Sequence, residues 1–70
     1  MLRVNQTCAE VVRRLVAHPA ATRLDLNNGE LTLVGPEAQS FRVALSAALA
    51  GELSESDRNH LAGVLAALGA

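Results

Sequence analysis

The sequence predicts an α+β fold, a small single domain over residues 1–70 in the order helix, β-hairpin, helix, helix (αββαα). Three observations carry this reading. The dipeptide Asn28-Gly29 sits between two runs in which leucine alternates with polar residues, Arg23–Asn27 and Glu30–Val34. Apolar residues recur at helical spacing before that stretch and in two segments after it. Proline or glycine punctuates the joins, at His18-Pro19, Gly35-Pro36 and Gly51.

Met1–Val4 has room for a short extended arm. Thr7-Cys8-Ala9-Glu10 fits the T-x-x-E capping box, in which each end satisfies a backbone N–H of the other. Cys8, Val11, Val12, Leu15 and Val16 then share one helix side, and Glu10, Arg13 and Arg14 the other. His18-Pro19 ends that helix, because a residue before proline is driven out of the α region. There His18 would sit against the negative end of the helix dipole.

Asn-Gly is the favoured centre of a type I′ turn, whose two positive φ angles match the strand twist. With the turn at Asn28-Gly29, Asn27 faces Glu30, Leu26 faces Leu31, Leu24 faces Leu33, and Arg23 faces Val34. All four leucines fall on one face, while Arg23, Asp25, Asn27, Glu30 and Thr32 fall on the other. A slip of one residue would scatter them.

Gly35-Pro36 closes the second strand, and proline suits the first position of the next helix. That helix carries Phe41, Ala44, Leu45, Ala48 and Leu49, with Gly51 as its expected C-terminal cap. Ser54-Glu55-Ser56-Asp57 resembles another capping box. From it runs a last helix with Leu61, Val64, Leu65 and Leu68 on one stripe. Gly63 weakens it by up to about 1 kcal/mol against alanine, and is expected to mark a close backbone approach. Gly69-Ala70 is expected to fray.

Composition narrows the function. A chain of 70 residues buries only about 60% of its unfolded surface. Half its residues are apolar, but Phe41 is the sole aromatic. Such a thin core suits an oligomer or a multidomain context, so a homodimer is among the expected assemblies. A net charge of −1 disfavours nucleic acid, whose partners carry strongly basic faces. All six basic residues are arginine, which fits codon bias in a GC-rich genome or forked contacts to carboxylates.

Cys8 stands alone and reads as a small buried apolar residue. The start MLRVNQ lacks the apolar run of a signal peptide, and no segment approaches about 20 apolar residues. A cytoplasmic location with no membrane partner is expected. Cys8 and His18 lie about 15 Å apart along a helix, too far to act together. His60 and Asp57, at i and i+3, read as a surface pair. No catalytic, metal or cofactor constellation emerges, and the expectation is a non-enzyme.

A two-stranded sheet leaves edges that can template another strand. Glu30–Val34 carries none of the lysines, prolines or bulges that usually block one. The edge is therefore open to an added peptide, unless the N-terminal arm or a second copy covers it.

Helix, hairpin, helix, helix, with L-x-L…N-G-x-L-x-L-x-G-P and a Leu/Ala-rich last helix, resembles the N-terminal docking domains of nonribosomal peptide synthetases and hybrid synthases. The likeness is to the tubulysin-type and β-hairpin docking domains. The residues that carry it are Leu24, Leu26, Gly29, Leu31, Leu33, Gly35 and Pro36, then Leu61, Val64, Leu65 and Leu68. The resemblance implies a non-catalytic module in bacterial antibiotic biosynthesis. It implies capture of a short C-terminal motif of an upstream subunit by strand addition to the hairpin, with charge pairs selecting the partner. The expected binding residues are Glu30, Thr32, Leu33 and Val34, with Arg23 and Arg42 for partner carboxylates. Two other readings stand beside it: a helix-turn-helix DNA-binding regulator built from Phe41–Ala50 and Ser56–Leu68, and a generic adaptor or inhibitor.

Overall fold

The structure, a computed structural model, describes residues 2–26 and 28–69; Met1, Asn27 and Ala70 lie outside them. Among the described residues the elements run β1 (Leu2–Arg3), α1 (Gln6–Leu15), α2 (Pro19–Thr22), β2 (Glu30–Leu31), α3 (Pro36–Leu49) and α4 (Glu55–Gly69). The class is α+β, as expected. The order, however, is βααβαα rather than αββαα, and the reason lies between residues 18 and 31.

Asn5, not Thr7, caps α1: its side-chain oxygen accepts the Cys8 N–H at 2.7 Å. Thr7 is thus already helical and the expected capping box does not form. The stripe behaves as predicted, with Cys8, Val11, Val12 and Val16 buried and Arg13 and Arg14 exposed. Helix α1 stops at Leu15, and His18 does not close it. His18 instead opens α2, where its Nδ1 accepts the Ala20 N–H at 3.0 Å ahead of Pro19. Its Nε2 lies 2.6 Å from Ser40 Oγ, and the ring packs 5.3 Å from that of Phe41.

The predicted hairpin is replaced. Arg23 to Leu26 form no strand, and the expected pair of Asn27 with Glu30 lies outside the described residues. Among the described residues only glycines take positive φ, so Asn28 does not, and a type I′ turn is excluded. The chain turns on Asp25. Its carbonyl accepts the Gly29 N–H at 2.6 Å, and its carboxylate accepts the Asn28 N–H and side-chain amide at 3.3 and 2.8 Å. An aspartate that bonds its own following backbone outcompetes a ladder. Upstream, the Leu24 N–H donates to Ala21 and its carbonyl accepts from the Arg13 guanidinium, so neither serves a neighbouring strand. Leu24 drops straight into the core, fully buried.

The strand partner of β2 is β1. They pair antiparallel, Leu2 opposite Leu31 and Arg3 opposite Glu30. The Val4 N–H donates to the Gly29 carbonyl at 2.5 Å and extends the same register. The arm left open by the sequence is thus the strand that covers this edge. Gly29, at φ +64°, has no room for a Cβ, which would overlap the Val4 carbonyl.

Helices α3 and α4 follow the expectation closely. Gly35 at φ +54° leads into Pro36, and Phe41 and Leu45 are buried. Gly51 is not a left-handed cap. The end of α3 is closed instead by Arg58, whose guanidinium donates to the Leu49 and Gly51 carbonyls at 2.9 and 3.4 Å. Ser54 caps α4, accepting the Asp57 N–H at 3.1 Å. Leu61 and Val64 are buried, with Leu65 and Leu68 packed beside them. Nothing lies within 4 Å of a Cβ built on Gly63, so the expected close backbone approach does not occur. The largest fully buried side chains are Phe41, Leu24, Leu45, Leu61, Val12 and Val64, drawn from α1, α3, α4 and the α2–β2 connection.

Candidate functional site

Beyond Leu31 the chain has no partner strand among the described residues, and the Val34 carbonyl accepts the Glu37 N–H at 3.2 Å. Thr32 and Val34 are exposed, Val34 to 72%, and Leu33 is half-buried. Beside this stretch lies a groove of about 270 Å³, walled by Leu2, Leu31 and Leu33 from the sheet side. Ala38 and Arg42 of α3 and Ala67 and Leu68 of α4 form the opposite wall.

Strand geometry explains which groups meet there. The Val4–Gly29 bond makes Val4/Gly29 and Leu2/Leu31 the hydrogen-bonded pairs, and Arg3/Glu30 the non-bonded pair. Side chains approach most closely in non-bonded pairs, and the Arg3 guanidinium meets the Glu30 carboxylate at 2.7 Å. Leu2 and Leu31 take the other face and are buried, at 4% and 5% exposure. By the same alternation Leu33 follows Leu31 toward the groove, and Thr32 follows Glu30 away from it.

The six predicted binding residues divide accordingly. Leu33 and Arg42 both line the groove, whereas Thr32 and Val34 are exposed and are not part of its lining. Glu30 is held by Arg3, and Arg23 by Glu37 at the start of α3, away from the groove lining. Arg42 donates to the Leu68 carbonyl and closes the last turn of α4. Neither arginine waits unengaged for a partner. Reading along the chain missed Leu2, Ala67 and Leu68, because they reach the groove from opposite ends of the sequence.

A second cleft, lined mostly by polar residues, lies between α1 and α4. Thr7, Glu10, Val11, Arg14, Ser56, Asp57 and His60 line it, and the Arg14–Asp57 ion pair spans it at 2.8 Å. His60 Nδ1 is buried there without a hydrogen-bond partner. Cys8, at the α1–α4 contact, points its Sγ to the His60 carbonyl at 3.4 Å, and burial pushes its thiol pKa up. That is the environment of an inert cysteine rather than an activated one. Among the described residues, no three or more His, Cys, Asp or Glu side chains gather to hold a metal ion. No described helix is long and apolar enough to cross a membrane.

Arg58, which lies on the second helix of the DNA-binding reading, is engaged in closing α3. The described residues thus form a small α+β domain with a groove, lined mostly by leucine and alanine, alongside a lightly covered strand. Comparison with protein-family models, with curated proteins and with solved structures finds no match.

Proposed function

We propose that this domain is a non-catalytic docking module that captures a short extended segment of a partner protein by strand addition along Glu30–Val34. The observation that carries the proposal is the groove beside Thr32–Val34, a stretch with no strand partner among the described residues. An extended peptide there gains main-chain hydrogen bonds from the strand, and every second side chain meets the apolar wall of Leu33, Ala38 and Leu68. Arg42 at that wall is the candidate for a partner carboxylate, exchanging the Leu68 carbonyl for a stronger charged acceptor. The host proposed from the resemblance is a cytoplasmic nonribosomal peptide synthetase or hybrid assembly line, with the partner segment at the C-terminus of the upstream subunit. The acceptor is then the β1–β2 sheet, since the hairpin of the family pattern is not formed.

Ordering a flexible segment consumes part of the contact energy, so the affinity is set at about micromolar, roughly −8 kcal/mol. An NMR titration with the C-terminal tail of the subunit encoded upstream tests the proposal. Shifts are expected at residues 30–34 and at the start of α3. Shifts confined to the exposed face of α4, with 30–34 silent, would overturn strand addition.

A further inference from the structure

A partner that pairs along the whole of Glu30–Val34 on the groove side meets an occupant, because β1 already holds Glu30 and Leu31. This occupant shows what chemistry the edge accepts. The Leu2 side chain is buried where the groove begins, against Leu31. The Arg3 guanidinium sits on the Glu30 carboxylate at 2.7 Å. At Gly29 the approaching backbone comes so close that only a glycine fits, which marks a place shaped to receive another main chain.

We infer that the partner's segment displaces β1 and copies it: an extended stretch in which a leucine-type residue is followed by a basic one. The leucine replaces Leu2 over Leu31, and the basic side chain replaces Arg3 on Glu30. The inference rests on the docking function proposed above and sets its polarity at this end of the site. Glu30 selects a cation in the partner, whereas the arginines first read from the sequence would have selected carboxylates alone. Displacement is feasible because β1 is two residues long and its ion pair is solvent-exposed. The remainder of the partner then runs past Leu31 along Thr32–Val34, where the groove is unfilled.

The test uses the full chain and a labelled, acetylated and amidated hexapeptide with the sequence of residues 2–7, LRVNQT. Binding is read by fluorescence anisotropy and mapped by NMR. Arg3→Glu sets two carboxylates opposite each other, weakens β1 and leaves β2 intact. Leu2→Ser combined with Arg3→Glu weakens it further. The peptide is expected to bind Arg3→Glu about fivefold or more tightly than the parent. A peptide with glutamate in place of its arginine should bind about fivefold more weakly, and Glu30→Arg should reverse that preference. Helical circular dichroism reports whether each variant folds, and Arg3→Glu alone, an exposed change, carries the test if the double variant does not. Binding at 30–34 with equal affinity for the arginine and glutamate peptides would overturn this inference and leave the docking function standing. Silence at 30–34 for every peptide and variant would overturn both. A parent whose sedimentation mass doubles with concentration, and reverts in Arg3→Glu, would put a second copy's β1 on this edge and overturn capture of a foreign segment.

Discussion

Residues 36–69 and residues 18–34 are both leucine-patterned stretches with clear punctuation, yet only the first folds as its pattern suggests. In α3 and α4 the signals that start the helices and set their buried sides are local. Pro36 and Ser54 start the helices, and the stripe Leu61, Val64, Leu65 and Leu68 turns inward as spaced. In residues 18–34 the local signals conflict. Asn28-Gly29 favours a two-residue turn, while His18-Pro19 favours a helix start and Asp25 favours a turn closed by its own side chain. The last two prevail, because together they satisfy backbone donors at Ala20, Asn28 and Gly29 and bury Leu24. Alternation predicts a strand only where no capping residue interrupts it.

Substitutions break this comparison at graded cost. The largest effect is expected at Gly29→Val, which combines positive φ with overlap on Val4. Strain and overpacking together cost about 2–6 kcal/mol, against a total stability of about 3.5–10 for a chain this size. Thermal melting and the NMR signals of Leu2–Val4 should both report loss of β1. A variant that melts with the parent would show that β1 does not cross there.

Leu24→Ala should cost about 2–5 kcal/mol and Leu26→Ala markedly less, since Leu24 is fully buried and Leu26 half-buried. A hairpin with both leucines on one face would make the losses alike, so denaturant unfolding of the pair discriminates the two folds. Asp25→Ala removes the carboxylate that holds Asn28, and a loss of about 0.5–2 kcal/mol is expected, as for a helix cap. On an exposed strand face the same change would be close to neutral.

In the other region the sign inverts. Gly63→Ala, in α4 with open space around it, should stabilise by about 0.4–1 kcal/mol. A destabilised variant would mean that another backbone does approach Gly63.

The smallest effect is a pH dependence. Burial raises the Cys8 thiol, so the folded state binds its proton more tightly than the unfolded chain. That contribution is complete below the ordinary thiol pKa, about 8.5, and is lost as the pH climbs through the raised value. The sequence has no tyrosine and no lysine, so alkaline melting should fall off in the parent and flatten in Cys8→Ala. Equal slopes would place Cys8 in water.

By itself the sequence determined the three longer helices, the buried side of each, the inert setting of Cys8 and the positive φ of Gly29. These depend on residues within about one helical turn of each other, where capping and periodicity act. It also singled out Leu33 and Arg42, both of which line the groove, because both lie close to the Glu30–Val34 stretch along the chain. Only the tertiary structure decided which strand pairs with Glu30–Leu31. The strand that does, Leu2–Arg3, sits 27 residues away along the chain, and it bonds through Leu31, on the edge opposite the one a turn at Asn28-Gly29 would have used. Arg13 took part in the choice, since its guanidinium donates to the Thr22 and Leu24 carbonyls and fixes this segment against α1. Nothing in its immediate neighbours announces that role, because a side chain from α1 reaches those carbonyls only after α1 and α2 have packed together.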